Sequence, residues 1–188
     1  MKNNNNLFYI VVSTEDDIHL VKGGIGTYIG LLVDAFAKYR PDIHIIWLTE
    51  SPSDKFFVMR RDTCRTFYIP QPSLGYKISR LCKRICRLLT HNKSNKLFIE
   101  SPDWEGLLAD LYATIKDKNI VKITRLHSML ELTKQTHPIF SEEEKEQINQ
   151  EHTQLLHTDI ISAPTEYVYN FTQNLFHNQL DTIPYHSW

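Results

Sequence analysis

A lysine and a run of glycines precede a helical pattern in residues 21–30, VKGGIGTYIG. Gly23, Gly24 and Gly26 let backbone N–H groups approach an oxygen-rich ligand, and the start of a helix adds the positive end of its dipole. Lys22 contributes a mobile positive charge. The segment therefore predicts an anion site, with phosphate as the natural ligand. A structural alternative stays open, because the same glycines can form a sharp turn and let the helix pack closely on a sheet.

Two nucleotide-binding patterns bear on this segment. The sequence contains no GxxxxGK[ST], which argues against a P-loop nucleotidase. Gly24, Gly26 and Gly30 form GxGxxxG, and Glu50 ends a later apolar run, where a dinucleotide-binding fold places its ribose-binding acid. Residues 14–22 separate the first apolar run from the glycines, whereas the dinucleotide pattern starts directly after its strand. An NAD(P)-dependent oxidoreductase is therefore the weaker alternative.

A second candidate site follows a later apolar run, in residues 99–106, IESPDWEG. Asp103 and Glu105 flank Trp104, a combination that suits a polyol, because carboxylates accept hydrogen bonds from hydroxyls and an aromatic face covers C–H surface. Asp103 can equally be a helix N-cap, and Trp104 a core residue.

A third candidate is TRLHS, in which Arg125 and His127 lie two residues apart and share one face of a continuing strand. His127 at the end of a strand is placed to reach a ligand, although a lone histidine is more often structural. The remaining histidines lack metal-ligand spacing, so we expect no metal site.

These candidates depend on the elements that position them. Continuous β-rich apolar runs predict strands at 7–13, 43–49, 96–100, 121–126 and 159–162, and residues 55–70 are interpreted as a hairpin or two short strands. Helical periodicity predicts a first helix that begins near Gly26 and ends near Pro41. It also predicts helices from 104 to 111, over 141–156 with a Ser141…Glu144 capping box, and over 164–176 with proline in the first turn.

The alternation of strands and helices predicts an α/β fold, a Rossmann-like three-layer domain with a mostly parallel sheet. Ligands of such sheets bind outside the carboxyl ends of the strands, where all three candidate segments lie. A length of 188 residues fits one domain, predicted over 7–188 after a flexible polar leader at 1–6.

Charge and cysteine content exclude further classes. The formal net charge of −1 argues against a general nucleic-acid binder. Cys64, Cys82 and Cys86 lack CxxC spacing, which favours buried thiols in a reducing compartment. No apolar run approaches the roughly 18 residues of a membrane span.

The charges are unevenly distributed. Basic residues without an acid among them run from Lys77 to Lys96, and acids concentrate in the later segment from Glu142 to Glu151. Residues 77–89 form an amphipathic helix pattern, whose basic rim suits an anionic membrane surface and whose apolar stripe suits packing on a sheet. The acidic segment is interpreted as a solvated helix face.

Together, KGGIGTYI, ESPDWEG, TRLHS and DIISAPTEYV resemble, in their order and spacing, the N-terminal domain of glycosyltransferase family 4, retaining enzymes of GT-B architecture. The resemblance covers nearly the whole chain. It implies an acceptor-binding half of a two-domain enzyme, whose second domain binds a nucleotide-sugar donor. The implied acceptor is a glycan or a lipid-linked glycan, and neither a cofactor nor a metal is implied.

The resemblance also implies roles for individual residues. Lys22, Gly23, Gly24 and Gly26 would face the donor diphosphate or an acceptor phosphate, and His127 would lie near the transferred sugar as the catalytic residue. The acceptor side would be lined by a group from the two later segments: Asp103, Trp104, Glu105 and Arg125. Ser162 and Glu166 match the family's next strand-to-helix step and are further candidates.

The chain stops before the paired glutamates with which such enzymes hold the donor, so it is interpreted as half an enzyme that lacks transferase activity alone. The family suggests bacterial surface-polysaccharide synthesis, in the cytoplasm or at the inner face of the plasma membrane. A non-catalytic binding domain that uses the same cleft stays open as an alternative.

Overall fold

Strands and helices alternate along the chain. The computed structural model describes residues 6–15, 24–70, 74–127, 129–136, 138–176, 179–180 and 182–187. Within these ranges the strands are β1 (Leu7–Val12), β2 (Ile43–Glu50), β3 (Phe57–Arg61), β4 (Cys64–Ile69), β5 (Lys96–Pro102), β6 (Ile120–Arg125), β7 (Ile160–Ala163) and β8 (Tyr185–Ser187). The helices are α1 (Gly24–Tyr39), α2 (Leu74–Thr90), α3 (Ala109–Thr114), α4 (Leu130–Thr133), α5 (Glu142–Leu156) and α6 (Glu166–Leu175), with a 3-10 turn at Trp104–Gly106.

The strands form one sheet in the order β3-β4-β2-β1-β5-β6-β7-β8. Strand β1 pairs in parallel with β2 and β5, and β7 pairs in parallel with β6 and β8. The antiparallel β3–β4 pair is the hairpin interpretation of residues 55–70. The predicted α/β, Rossmann-like fold with a mostly parallel sheet is confirmed.

Contacts divide the chain into two compact units. The first comprises residues 1–100 and 117–120, and its core is formed where α1 packs on the central strands, with Val11, Ile29, Val33 and Trp47 buried. The second comprises residues 101–116 and 121–188, and Leu126, Leu155, Ile161 and Phe176 are among its core residues. A single domain over 7–188 with an absent donor domain stays a prediction.

The structure corrects two predicted helix starts. The helix expected from 104 is a 3-10 turn followed by α3, because Glu105 and Gly106 have positive φ angles, 64° and 53°, that end regular helix. Helix α6 begins at Glu166 behind the N-cap Thr165, so Pro164 precedes the cap. The predicted capping box of α5 is confirmed in both of its hydrogen bonds. The leader at 1–6 lies, except for Asn6, outside the described residues.

Helix α2 buries one face and exposes the other. Ile78, Cys82 and Cys86 are buried, and Leu88, expected in the same apolar stripe, is 69% exposed.

All three cysteines are buried free thiols, as predicted. No helix among the described residues is both long and apolar enough to span a bilayer.

Candidate functional site

One buried carboxyl joins the second and third candidate segments. The Asp103 N–H donates to the carbonyl of Arg125 at 2.9 Å, which continues the pairing of β5 with β6. Asp103 Oδ1 accepts the N–H of Trp104 at 2.9 Å and the N–H of His127 at 3.0 Å. Asp103 is therefore the N-cap of the 3-10 turn and also fixes the main chain of His127 at the end of the neighbouring strand.

Burial gives Asp103 an unusual acidity. The side chain is fully buried, and Oδ2 has no hydrogen-bond partner among the residues that the structure describes. Desolvation raises its pKa to about 7; the N–H of His127 opposes the rise, and the nearby charge of Glu151 adds to it. Asp103 is therefore divided between the neutral and the ionised form near neutral pH.

His127 is a neutral imidazole at physiological pH. Its side chain is partly buried, and desolvation together with the positive charge of Arg125 lowers its pKa to about 4. A neutral imidazole has one donor and one acceptor nitrogen, which suits hydrogen bonding to a hydroxyl. Arg125 ends β6 and is 8% exposed.

The turn at 104–106 is held in a tight, left-handed conformation. Trp104 is partly exposed, Glu105 is exposed, and a Cβ on Gly106 would lie 2.4 Å from the carbonyl carbon of Gln150. A side chain at position 106 is thus excluded by the backbone of α5. Glu105 is thus exposed and Trp104, its neighbour in the chain, is partly exposed, while their predicted role in binding a polyol stays a prediction.

Helix α5 contributes two buried polar residues that the sequence analysis missed, since Glu151 was predicted on a solvated face. Glu151 Oε1 accepts the Glu105 N–H at 3.1 Å, and Oε2 accepts the Leu130 N–H at 3.0 Å. One turn later, Gln154 Oε1 accepts the Leu108 N–H at 2.9 Å, and Nε2 donates to the Pro102 carbonyl at 2.7 Å.

A pattern signal for these residues existed. Gln147, Glu151 and Gln154 lie at i, i+4 and i+7, the spacing of one helix face, and Leu155 lies beside them in the core. Sequence alone does not distinguish an inward polar stripe from a solvated one.

The glycine segment belongs to the other compact unit. Lys22 and Gly23 lie outside the described residues. Gly24 begins α1 in open space, and the N–H of Gly26 donates to Oε2 of Glu15 at 3.0 Å. A carboxylate of the chain itself therefore occupies the helix N-terminus where an anion was predicted.

Ser162 and Glu166 lie around the end of β7. The buried Ser162 is opposite Arg125 in the sheet, and its carbonyl accepts the Leu126 N–H at 2.7 Å. Glu166 is exposed in the first turn of α6. Ser162 thus adjoins the Asp103–His127 site through the backbone. The part of the chain that the structure describes holds no group of three or more His, Cys, Asp or Glu residues suited to a metal ion.

Neither a protein-family model nor a curated protein sequence matches the chain. Sucrose-phosphate synthase from Thermosynechococcus elongatus has a similar structure, with a TM-score of 0.63 at 17% identity over 96% of this chain and 47% of that chain. An E. coli structure, described as trehalose-6-phosphate bound with UDP-2-fluoro glucose, gives 0.53 at 12% identity over 96% and 48%. Phytolacca americana UGT2, complexed with UDP-2-fluoro-glucose and pterostilbene, gives 0.53 at 9% identity over 96% and 53%.

The chain spans about half the length of these solved structures. They are GT-B glycosyltransferases. At these identities the likeness concerns the fold, and the chain has the Rossmann-like α/β fold found in GT-B proteins.

Proposed function

We propose that the chain is the acceptor-binding domain of a glycosyltransferase that uses a nucleotide-sugar donor. The observation that carries this proposal is the bridge made by Asp103, which holds the Trp104–Glu105 turn and His127 together at the ends of β5 and β6. Ligands of Rossmann-like sheets bind at such strand ends. The GT-B fold of the structural neighbours supports the same class of chemistry.

The chemistry of the site suits a sugar. The Glu105 carboxylate accepts hydrogen bonds from hydroxyls, and the Trp104 face covers C–H surface. The neutral His127 imidazole, which we assign to the neighbourhood of the transferred sugar, also hydrogen-bonds to a hydroxyl of the acceptor sugar. Arg125 is assigned to the acceptor side, and Gly24 and Gly26, with Lys22 and Gly23, to the donor phosphates. Ser162 and Glu166 are further candidates on the rim.

The reaction that we propose is retaining transfer of a hexose, as in glycosyltransferase family 4. The acceptor hydroxyl attacks from the face that the leaving diphosphate vacates, and a phosphate oxygen takes the hydroxyl proton. The donor is held by a second domain, and neither a metal nor a cofactor takes part. The role that fits is synthesis of a bacterial surface polysaccharide in the cytoplasm.

Ligand titration followed by NMR tests the proposal. The probes are UDP-glucose, because two neighbours hold its 2-fluoro form, and glucose 6-phosphate, because two neighbours are named for phosphorylated sugars. We expect glucose 6-phosphate to shift the Trp104 indole and His127 ring signals, and His127→Ala to weaken binding about tenfold, the equivalent of about 1.4 kcal/mol. Glu143→Ala, on the exposed face of α5, is the control and should bind as the wild type does.

The oxidoreductase alternative makes the opposite prediction, which is binding of NAD(P) and not of the sugar. The structure weakens this alternative, because β1 ends at Val12 and α1 begins only at Gly24, so the glycines do not form the tight turn after the strand. NAD(P) binding with no response to either sugar probe would replace the glycosyltransferase proposal.

A second partner that we propose is an anionic membrane surface, contacted by α2. Arg80, Arg84 and Arg87 lie at i, i+4 and i+7 on its exposed face and make no ion pair among the described residues. Tyr76 and Leu88, 68% and 69% exposed, flank this arginine stripe. Guanidinium groups beside exposed apolar side chains are the combination that binds acidic lipid headgroups.

Vesicle binding tests the membrane proposal. Replacing all three arginines with glutamine should weaken binding to phosphatidylglycerol-containing vesicles roughly 100-fold, since each base near the surface contributes about 1 kcal/mol. Phosphatidylcholine vesicles should bind weakly, and salt should release the protein. Lys116→Gln with Lys118→Gln, which changes two exposed bases elsewhere, is the matched control. Binding that ignores lipid charge and salt would contradict the proposal.

A further inference from the structure

Helix α5 connects both loops of the candidate site through one side chain. Glu151 is fully buried, and each of its two carboxylate oxygens accepts a main-chain N–H from a different segment. Oε1 accepts from Glu105, which follows β5, and Oε2 accepts from Leu130, which begins α4 after β6. The side chain of Gln147 donates a further hydrogen bond to Oε1 at 2.8 Å.

A buried carboxylate at position 151 stabilises the fold less well than an apolar side chain could. Burying a carboxylate carries a large desolvation penalty, and an apolar side chain of similar volume often stabilises a fold as well or better. The cost is greater here, because the buried Asp103 carboxyl lies close enough for the two charges to repel. A leucine at position 151 would lack the two carboxylate oxygens, each of which accepts a hydrogen bond from a different loop.

Backbone contacts also fix the position of the turn at 104–106 relative to α5. The turn at Gly106 packs directly on the main chain of Gln150, and Gln154 holds Pro102 and Leu108 on either side of the turn. The register between the turn and α5 is thus fixed by three contacts. Glu151 bonds the same turn to Leu130, in addition to the link that Asp103 makes between Trp104 and His127.

We propose that Glu151 is a positioning residue, which helps to set the geometry between the Trp104–Glu105 turn and the backbone at His127 and at Leu130, so that the turn and His127 face the same sugar. This inference rests on the proposed function, because it assigns a shared ligand to the two loops. Glu151 acts through the backbone N–H groups of Glu105 and Leu130 and, being fully buried, has no surface with which to contact the sugar.

The test is Glu151→Gln, in which one acceptor oxygen becomes an NH₂ donor of nearly the same shape. One of the N–H groups now held then faces a donor. We expect amide hydrogen exchange at Glu105 or Leu130 to accelerate at least tenfold, and the affinity for glucose 6-phosphate to fall about tenfold with the fold retained. The control on the same helix is Glu146→Gln, which changes an exposed carboxylate and should alter neither quantity.

A second variant distinguishes the expected effect of Glu151→Gln from that of a general loss of stability. Ile78→Val shortens a buried side chain of α2 and lowers stability without touching either loop. The comparison is made when the two variants have the same melting temperature. If Ile78→Val then weakens sugar binding as much as Glu151→Gln does, Glu151 has only a structural role and the inference is wrong. Unchanged exchange at both amides in Glu151→Gln overturns it as well.

Failure of the proposed function gives a different result. A wild-type chain that does not bind glucose 6-phosphate contradicts the assignment of an acceptor sugar to this site. In that case the shared-ligand part of the inference is withdrawn, and the exchange rates at Glu105 and Leu130 still decide whether Glu151 holds the two loops.

Discussion

At the scale of single residues, Asp103 combines two of the alternatives considered for it. It is the N-cap that a strand-to-helix step requires, and its second hydrogen bond fixes the main chain of the candidate catalytic residue His127. Local pattern rules find the cap, because an aspartate before a helical pattern is a common start signal. The bond to His127 joins residues 24 positions apart, so local rules do not reach it.

The pH dependence of stability follows from the raised pKa of Asp103. Burial moves this pKa from 3.8 to about 7, so the folded state binds the proton more tightly than the unfolded state. The resulting stabilisation is complete below pH 3.8 and is lost as the pH rises through 7. Asp103→Asn keeps the Oδ1 acceptor and removes the titration. Its stability relative to the wild type should therefore increase from pH 4 to pH 8, by at most about 4 kcal/mol.

Urea unfolding of both proteins at several pH values measures this difference. The pKa of His127, lowered to about 4, gives the opposite slope, since that stabilisation is present above pH 6.5 and is lost as the pH falls through 4. Both the wild type and Asp103→Asn contain His127, so its contribution to the free energy of unfolding cancels in the difference between them. Asp110→Asn, an exposed acid on α3, is the control. A constant difference between Asp103→Asn and wild type would show that Asp103 ionises as it does in the unfolded chain.

At the scale of elements, the strands and most helices could be predicted, because their apolar periodicity is local. The failures have physical reasons. Strand β8 has only three residues, too few for a periodicity, and only the family resemblance indicated a strand in the last residues of the sequence. The 3-10 turn replaces the start of a helix because Gly106 must approach the backbone of α5, a long-range constraint. Glu151 was misplaced because its buried partners are main-chain groups, which a sequence does not display.

Replacing Glu105 with glycine should raise the stability of the fold and weaken the binding of the sugar. A non-glycine residue at a φ of 64° carries strain, and a left-handed residue costs roughly 1–2 kcal/mol. Glu105→Gly should therefore raise stability by about 1 kcal/mol, while the lost carboxylate weakens glucose 6-phosphate binding. The melting temperature and the NMR titration measure the two effects.

The matched control is Asp62, in the β3–β4 turn, which has a φ of 46°. Asp62→Gly should relieve backbone strain without altering sugar affinity. Equal sugar affinity in Glu105→Gly and the wild type would remove Glu105 from the site and leave the turn as a purely structural feature.

At the scale of the whole molecule, the proposed reaction divides the binding of acceptor and donor between two domains. The chain spans about half the length of its structural neighbours, and our proposal assigns the acceptor to the site of this chain and the donor to a second domain. Binding of acceptor and transfer of sugar should therefore separate. We expect the purified 188-residue chain to bind glucose 6-phosphate and to transfer no glucose to it.

Incubation with radiolabelled UDP-glucose and glucose 6-phosphate, followed by separation of the products, measures transfer directly. Intact sucrose-phosphate synthase with its own substrates is the positive control for the assay, and the His127→Ala variant sets the background. Labelled product from the wild-type chain above that background would show that donor-holding groups are present within these 188 residues. The glycine segment at the start of α1, which we assign to the donor phosphates, would then hold the donor without a second domain, because displacement of the Glu15 carboxylate from the Gly26 N–H would admit a phosphate.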